Sequence, residues 1–300
     1  MQTIHYSHCP VCHSDNLHLI FPVKDYTVSG QQFDIFECRN CSLRFTQDVP
    51  TQEYIGPYYK SEDYISHTNN KKGILNSLYQ KVRSITMMQK AAVIKKYTGL
   101  QKGVLLDVGC GTGSFLNVMQ LKGWKVTGLE PDEDTRQLAL ELHGLKVMPS
   151  NEIFNLQPAS FNAITLWHVL EHVHQLHEYI QQLNVLLAPG GKLFIAVPNY
   201  TSRDAKIYGK YWAAYDVPRH LYHFSPQSIE VLLKQHGLKV VKHLPMWFDS
   251  FYVGLLSSKY KTGKIAYASA GLHGLSSNIN AVGNVGQCSS VVYVVEKSPS

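Results

Sequence analysis

Beyond residue 100 the chain alternates between two hydrophobic rhythms. Short apolar runs at 104–107, 125–130, 146–148, 163–167 and 192–197 read as strands, the pattern of a sheet buried on both faces. Between them, 114–122, 133–143 and 176–187 carry apolar residues at helical spacing, and 226–236 does so after them. A late pair of apolar runs at 238–244 and 291–296 closes the series. Strands alternating with helices predict an α/β fold, a parallel sheet with helices on both faces.

Upstream the rhythm differs. Leu75, Leu78, Val82, Ile85, Met88, Ala92 and 94–97 recur near helical spacing, which predicts a helix ending at Gly99. Before it, 51–72 is polar and Tyr-rich (Tyr54, Tyr58, Tyr59, Tyr64), a linker in which the stretch around Tyr64 and His67 is a candidate cover for the site. At the N-terminus, 17–23 and 33–37 read as short strands lying between two CxxC pairs, Cys9/Cys12 and Cys38/Cys41. The expected organisation is therefore a ribbon over 1–50, a linker and helical lid over 51–99, and a main domain over 100–300. Long insertions interrupt that domain at 199–224 and 247–287, where substrate recognition is expected.

Composition narrows the class. With 44% hydrophobic and 17% charged residues, and only 21 Gly and 13 Pro in 300, disordered and collagen-like chains are excluded. The net charge of +6 is spread along the chain and names no partner. No basic segment followed by an apolar stretch opens the chain and no apolar run reaches membrane length, so the expectation is a cytoplasmic protein with no membrane span. In that compartment four paired cysteines read as a metal site, and four thiolates at Cys9, Cys12, Cys38 and Cys41 can close a tetrahedral structural zinc. A thioredoxin-like reading would need a βαβ setting that 1–50 lacks.

The strongest motif is 105–115, Leu-Leu-Asp-Val-Gly-Cys-Gly-Thr-Gly-Ser-Phe. A buried strand ends at Asp107, three glycines let the backbone bend closely round a ligand, and Ser114 can cap the next helix. Glu130 stands 17 residues after Gly113, at the end of the next strand, where a carboxylate can accept both hydroxyls of a ribose. The glycine spacing departs by one position from the dinucleotide fingerprint, so a nucleoside fits better than a pyrophosphate.

With these residues in place, 107–115 resembles the first motif of class I S-adenosylmethionine-dependent methyltransferases. Glu130-Pro131 resembles the acidic end of their second strand, and 187–193 resembles their turn before strand five. The resemblance implies a Rossmann-like methyltransferase sheet that binds S-adenosylmethionine. It puts Gly109, Gly111 and Gly113 against the methionine and ribose, Glu130 on the ribose, and Ser150 or Asn151 near the adenine. Asp107, Cys110, Thr112, Pro131, Trp167 and His168 complete the expected cofactor-facing set. No role is carried over to Asn162.

Directly after the fourth strand, His168, Glu171 and His172 share a face if the segment is helical. HxxEH also matches an inverted zinc-peptidase signature, but that signature belongs on a helix and needs a third ligand. The same segment resembles the LEHV stretch of ubiquinone-pathway O-methyltransferases, some of which bind a divalent metal through ExxEH. Here His168 replaces the first Glu, and the plain structural alternative leaves Glu171 and His172 orienting the turn. Further on, 211–225 interleaves Trp212, Tyr215 and Tyr222 with Arg219, His220 and His223. Arg219 presents a fork suited to carboxylate or phosphate, although an ordinary loop capped by Ser225 accounts for the segment equally.

The expected activity is methyl transfer from S-adenosylmethionine to a small-molecule acceptor, at oxygen before carbon or nitrogen. His168 and His220 are the first candidates for the base, then His172, with Arg219 beside them. Four-cysteine modules also precede some nucleotide-sugar methyltransferases, which they resemble as lids. The alternatives are an RNA methyltransferase gripping RNA through the ribbon, a zinc peptidase, and a non-catalytic module that only binds the cofactor. Lys24, Arg39 and Arg44 alone in 1–50 make a thin phosphate footprint, and DNA is not expected. Neither the acceptor nor the oligomeric state is legible.

Overall fold

In this computed structural model, which describes residues 2–60, 74–264 and 267–298, the chain opens with β1 (Thr3–Ile4), β2 (Leu17–Lys24), β3 (Gln32–Cys38), β4 (Arg44–Thr46) and β5 (Val49–Pro50). Helix α1 (Ile74–Thr98) follows and ends at Gly99, in the left-handed conformation that closes helices. Tyr64 and His67 lie outside the described residues. The expected alternation then appears as β6 (Val104–Val108), α2 (Ser114–Leu121), β7 (Lys125–Leu129), α3 (Glu133–His143), β8 (Phe161–Trp167), α4 (Leu176–Leu186) and β9 (Leu187–Pro198). The remainder comprises α5 (Arg203–Tyr208), β10 (Tyr222–His223), α6 (Pro226–Gln235), β11 (Leu238–Pro245), α7 (Asp249–Thr262), α8 (Tyr267–Gly283) and β12 (Ser290–Lys297).

The central sheet has the order β11-β12-β9-β8-β6-β7, parallel through β9, β8, β6 and β7, with β12 antiparallel to both β9 and β11. Since β7 and β8 flank β6 on opposite sides, the strand order reverses there. Ligands of open α/β sheets bind outside the carboxyl ends of strands at such a point, here Asp107 to Gly109 and Trp167 to His168. Among the described residues, no helix is long and apolar enough to cross a membrane.

Two expectations need correction, and one insertion that was assigned no elements gains them. The strand at 146–148 is a single bridge from Met148 to Leu129, because the chain leaves the sheet edge for a 3-10 turn at Ser150–Asn155. Ser114 does not cap α2, whose cap position is Gly113; the Ser114 hydroxyl instead accepts from Arg83 Nη2 at 2.8 Å and ties α1 to the glycine turn. The Gly- and Ser-rich segment 247–287 forms the helices α7 and α8. Glycine serves close packing there, since a Cβ on Gly274 would stand 2.8 Å from Phe251 Cδ1.

The ribbon is not a detached appendage. β10, from the 199–224 insertion, pairs antiparallel with β4 and completes the sheet β10-β4-β3-β2. Cys9, Val11, Leu43 and Phe45 share one apolar core with Leu106, Ile164, Ile195 and Phe224. The hairpin end is fastened by Arg219, which is only 1% exposed. Its Nη2 donates to Asp25 Oδ1 at 3.0 Å and to Asp216 Oδ1 at 2.7 Å, its Nε to Asp216 Oδ2 at 3.0 Å, and its Nη1 to the Tyr58 carbonyl at 2.9 Å. Burial alone would lower the pKa of Arg219, but Asp216 and Asp25 outweigh it and hold the guanidinium charged. Arg219→Ala leaves buried Asp25 without its cation, a loss of about 3–5 kcal/mol. Urea unfolding measures it, and an unchanged midpoint would remove Arg219 as the fastening.

Candidate functional site

The glycine turn is built as its sequence demands. Gly109, Gly111 and Gly113 have φ of 66°, 54° and 74°, a region that other residues enter at a cost. A Cβ on Gly109 would meet Val169 Cγ2 at 2.5 Å, whereas one on Gly111 would project into open space. Gly111 N–H donates to Glu130 Oε2 at 3.0 Å and Asp132 N–H to Glu130 Oε1 at 3.2 Å, so the second carboxylate faces the turn. Asp107 accepts from Thr165 Oγ1 at 2.6 Å, and burial pushes its carboxyl up to about 7. Burial also raises Glu130. Cys110 and Thr112 lie within the turn, Pro131 follows Glu130, and Ser150 and Asn151 sit one turn beyond the Met148 bridge. Two carboxylates without a salt-bridge partner among the described residues, beside an open glycine cradle, fit a cationic, hydroxyl-rich ligand such as S-adenosylmethionine.

Near this turn an open cleft is lined by Lys90, Val93, Trp167, Trp247, Phe248 and Asp249. Lys90 was not legible in the sequence as a site residue. Its Nζ lies 4.3 Å from the Trp167 ring centroid, and among the described residues it makes no hydrogen bond or ion pair. Burial pulls its pKa down, while Asp107 and Asp249 pull it up. The indole Nε1 of Trp167 is buried without a hydrogen-bond partner among the described residues. The helical spacing of Lys90 was visible; its position over Trp167 depends on how α1 crosses the sheet.

The histidines are placed differently from expectation. His168 follows Trp167 with φ of 59°, its Nε2 2.9 Å from Asp249 Oδ2 and its Nδ1 3.4 Å from Glu171 Oε1. Burial would lower its pKa, but Asp249 and Glu171 outweigh it and raise it to about 10. Both ring nitrogens of His168 face carboxylates, which favours its protonated form, a setting opposed to the proton-acceptor role expected of it. His172 is the opposite case: burial, then His220, lowers it to about 4. Its Nδ1 lies 3.0 Å from the Arg219 carbonyl and 3.0 Å from the Tyr59 hydroxyl. His220, 9% exposed, has Nδ1 2.8 Å from the Ala214 carbonyl. A carbonyl only accepts, so both rings carry their hydrogen on Nδ1 and keep a lone pair on Nε2.

Those two imidazoles converge on Glu171, with donor atoms of all three residues within 4.8 Å of one another. Glu171 is fully buried and, among the described residues, neither of its oxygens has a hydrogen-bond partner. Two nitrogens and a carboxylate are also the donors that a divalent cation takes. The segment Leu170–His172 is a 3-10 turn, not the helix that the peptidase signature requires. Arg219 does not face the cleft, because its guanidinium is committed to the ion cluster described above. Trp212 and Tyr215 are likewise interior, Trp212 Nε1 donating to Asp204 and the Tyr215 hydroxyl accepting from Arg44 Nη1 at 2.8 Å. These corrections share one cause, a segment that packs against the ribbon instead of opening beside it.

The four cysteines meet as their spacing requires. Cys9 and Cys41 Sγ are 3.5 Å apart, as are Cys12 and Cys38 Sγ, and all four sulfurs lie within 4.8 Å of one another. Both knuckles have the same form: His13 and Ser42 follow the second cysteine in left-handed conformation and donate N–H at 2.9 Å to the Cys9 and Cys38 carbonyls. The hydrogen bond from Cys41 holds the Cys9 thiol down to about 5. Tetrahedral zinc with sulfur at about 2.3 Å separates its ligands by about 3.8 Å, which this cluster accommodates.

The His168 pairing generates a pH dependence. Its folded pKa lies above the unfolded value of about 6.5, so its stabilisation is complete below pH 6.5 and lost as pH rises toward 10. Asp249→Asn should flatten the decline in stability between pH 7 and 10 and lower the His168 titration midpoint measured by NMR. A midpoint unmoved in that variant would dismiss the pairing.

A family model described as a methyltransferase domain matches residues 86–243. The ubiquinone biosynthesis O-methyltransferase of Xanthomonas euvesicatoria pv. vesicatoria is 28% identical over 179 residues, covering 55% of this chain and 74% of that protein. The enzyme of that name from Bordetella avium is 30% identical over 154 residues, covering 47% and 64%. Similar solved structures include a SAM-dependent methyltransferase from Archaeoglobus fulgidus, 17% identical with a TM-score of 0.49 over 75% of this chain and 100% of that one. Mitomycin 7-O-methyltransferase is 16% identical with a TM-score of 0.48 over 72% and 54%. Since the matched residues run from the middle of α1 to β11, more than half of the chain and both ends of the glycine turn's contact with Glu130, the protein belongs to this methyltransferase family and is an S-adenosylmethionine-dependent enzyme.

Proposed function

We propose that the enzyme methylates an oxygen of a small-molecule acceptor held at the carboxyl end of β8, with His172 and His220 taking up the hydroxyl proton. The observation that carries this reading is the convergence of two imidazoles, each with Nδ1–H committed to a backbone carbonyl, on one buried carboxylate. S-adenosylmethionine supplies an activated methyl group, so the chain has to orient the nucleophile and accept its proton. His172 and His220 offer unprotonated Nε2 atoms, and Glu171 stabilises whichever ring takes up the proton. On the donor side, Asp107 and Glu130 offer carboxylates to the amino group and ribose, Gly111 offers open space, and Lys90 offers a cation to the carboxylate. Cys110, Thr112, Pro131, Trp167, Ser150 and Asn151 would border the rest of that ligand.

The O-methyltransferase names of the relatives support oxygen as the acceptor atom. The RNA alternative loses support because Arg44, one of the few basic residues of the ribbon, is spent on Glu37 at 2.8 Å and on Tyr215. A divalent cation held by Glu171, His172 and His220 is a second reading, favoured by the buried Glu171 carboxylate, whose closest charged neighbour is His168 Nδ1 at 3.4 Å.

A panel of phenols, catechols and sugars, assayed by release of S-adenosylhomocysteine, tests the acceptor class; turnover on RNA alone would overturn it. With an accepted substrate, His172→Ala or His220→Ala should lower kcat by about 100-fold or more, while calorimetry finds the affinity for S-adenosylmethionine unchanged. Elemental analysis should find one zinc per chain, lost in Cys38→Ser, with hydrogen-exchange protection falling in β10 as well as in the ribbon. A second equivalent of metal, lost in His220→Ala, would favour the cation reading.

A further inference from the structure

Thr46, the last residue of β4, is fully buried, and it contacts the histidine cluster from 174 positions away in sequence. Its Oγ1 lies 2.7 Å from the His220 carbonyl and 3.0 Å from His223 Nε2. Its backbone N–H donates to the Leu221 carbonyl at 2.9 Å, and Leu221 N–H donates to the Glu171 carbonyl at 2.8 Å. A hydroxyl has one hydrogen and a carbonyl can only accept, so Thr46 donates to His220 and accepts from His223. That assignment makes His223 the Nε2–H tautomer. His223 is 2% exposed, and burial drives its pKa well below the usual value, so it stays neutral and has one hydrogen to give.

The ring of His220 is therefore held at Nδ1 by Ala214, while its own main chain is held by a residue of the ribbon. We propose that Thr46 is a positioning residue, through which the four-cysteine ribbon sets where the His220 imidazole stands. The inference rests on the reading of His220 as a proton acceptor. Valine at 46 keeps the shape of threonine but leaves the His220 carbonyl and the His223 N–H buried without partners. Serine keeps the hydroxyl. The Thr46 hydroxyl thus reaches His220 directly, beside the Asp25–Arg219 contact that reaches His172 and the apolar core shared with the sheet.

Long-range 1H–15N spectra of the full chain labelled at histidine test this without any acceptor, since they distinguish bare from protonated ring nitrogens. The wild type should show His223 protonated at Nε2 and His220 at Nδ1. Thr46→Val should move both sets of signals, and Thr46→Ser should leave them in place. A wild-type His223 protonated at Nδ1 alone would overturn the inference even if the valine variant failed to fold. With an acceptor from the panel, Thr46→Val should lower kcat by about 10- to 100-fold, with S-adenosylmethionine affinity unchanged and Thr46→Ser close to wild type. Ile35→Val, a ribbon-core change removing one methyl group, controls for lost stability and should leave kcat unchanged. If His220→Ala loses turnover and Thr46→Val does not, the positioning role fails and the proton-acceptor reading survives. If His220→Ala retains turnover, both fall.

Discussion

Arg219 binds together the parts of this protein that its sequence keeps far apart. Removing a guanidinium and two carboxylates from water is costly, and the cost is offset only when every group finds a partner. Here the partners come from three places: Asp216 from the same turn, Asp25 from the β2–β3 hairpin, and the Tyr58 carbonyl from the linker that follows the ribbon. Asp25 is itself held by N–H groups of Thr27, Val28 and Ser29, so the hairpin presents a preformed carboxylate. With the ion cluster formed, the Arg219 carbonyl is fixed, and that carbonyl sets the tautomer of His172.

The site divides into two electrostatic halves. On the glycine-turn side, Asp107 and Glu130 are both raised by burial, and Lys90 is lowered by it. These groups form no close ion pair with one another among the described residues, as suits a pocket for a ligand bearing both signs. Toward β10 the chain supplies both signs itself. His168 is held cationic between Asp249 and Glu171, while His172 is held neutral only a short distance away. Two histidines four residues apart therefore differ in charge at neutral pH, because Asp249 and Glu171 outweigh burial at His168, whereas burial and the neighbouring His220 outweigh Glu171 at His172.

What could be read in the sequence was what is local. The glycine turn, Glu130, the paired cysteines and the Ser225 cap of α6 each depend on residues a few positions apart, and each has the expected form. The alternation of strands and helices was legible because both sheet faces are buried. The role of Arg219 was not, because an arginine among aromatics looks the same whether it opens to a ligand or closes on Asp25, nearly two hundred residues away. His172 and His220 were candidates individually. Their convergence on Glu171 required the pairing of β10 with β4, and a two-residue strand leaves no periodicity to detect. The helices α7 and α8 were hidden by composition, since Gly274 serves a close approach to Phe251 and Ser257 and Ser277 bond to neighbouring segments.

The pairing of β4 with β10 also orders events in time. The hydroxyl of Thr46 and the carbonyl of His220 are separated by 174 residues, so at synthesis rates of about 5–20 residues per second the ribbon waits roughly 9–35 s for its fourth strand. Over that interval β4 is an open edge, the kind of surface on which nascent chains join one another. β4 is only three residues long, and Arg44 places a charge at its start. Both features blunt the edge until the catalytic half of the chain arrives to cover it.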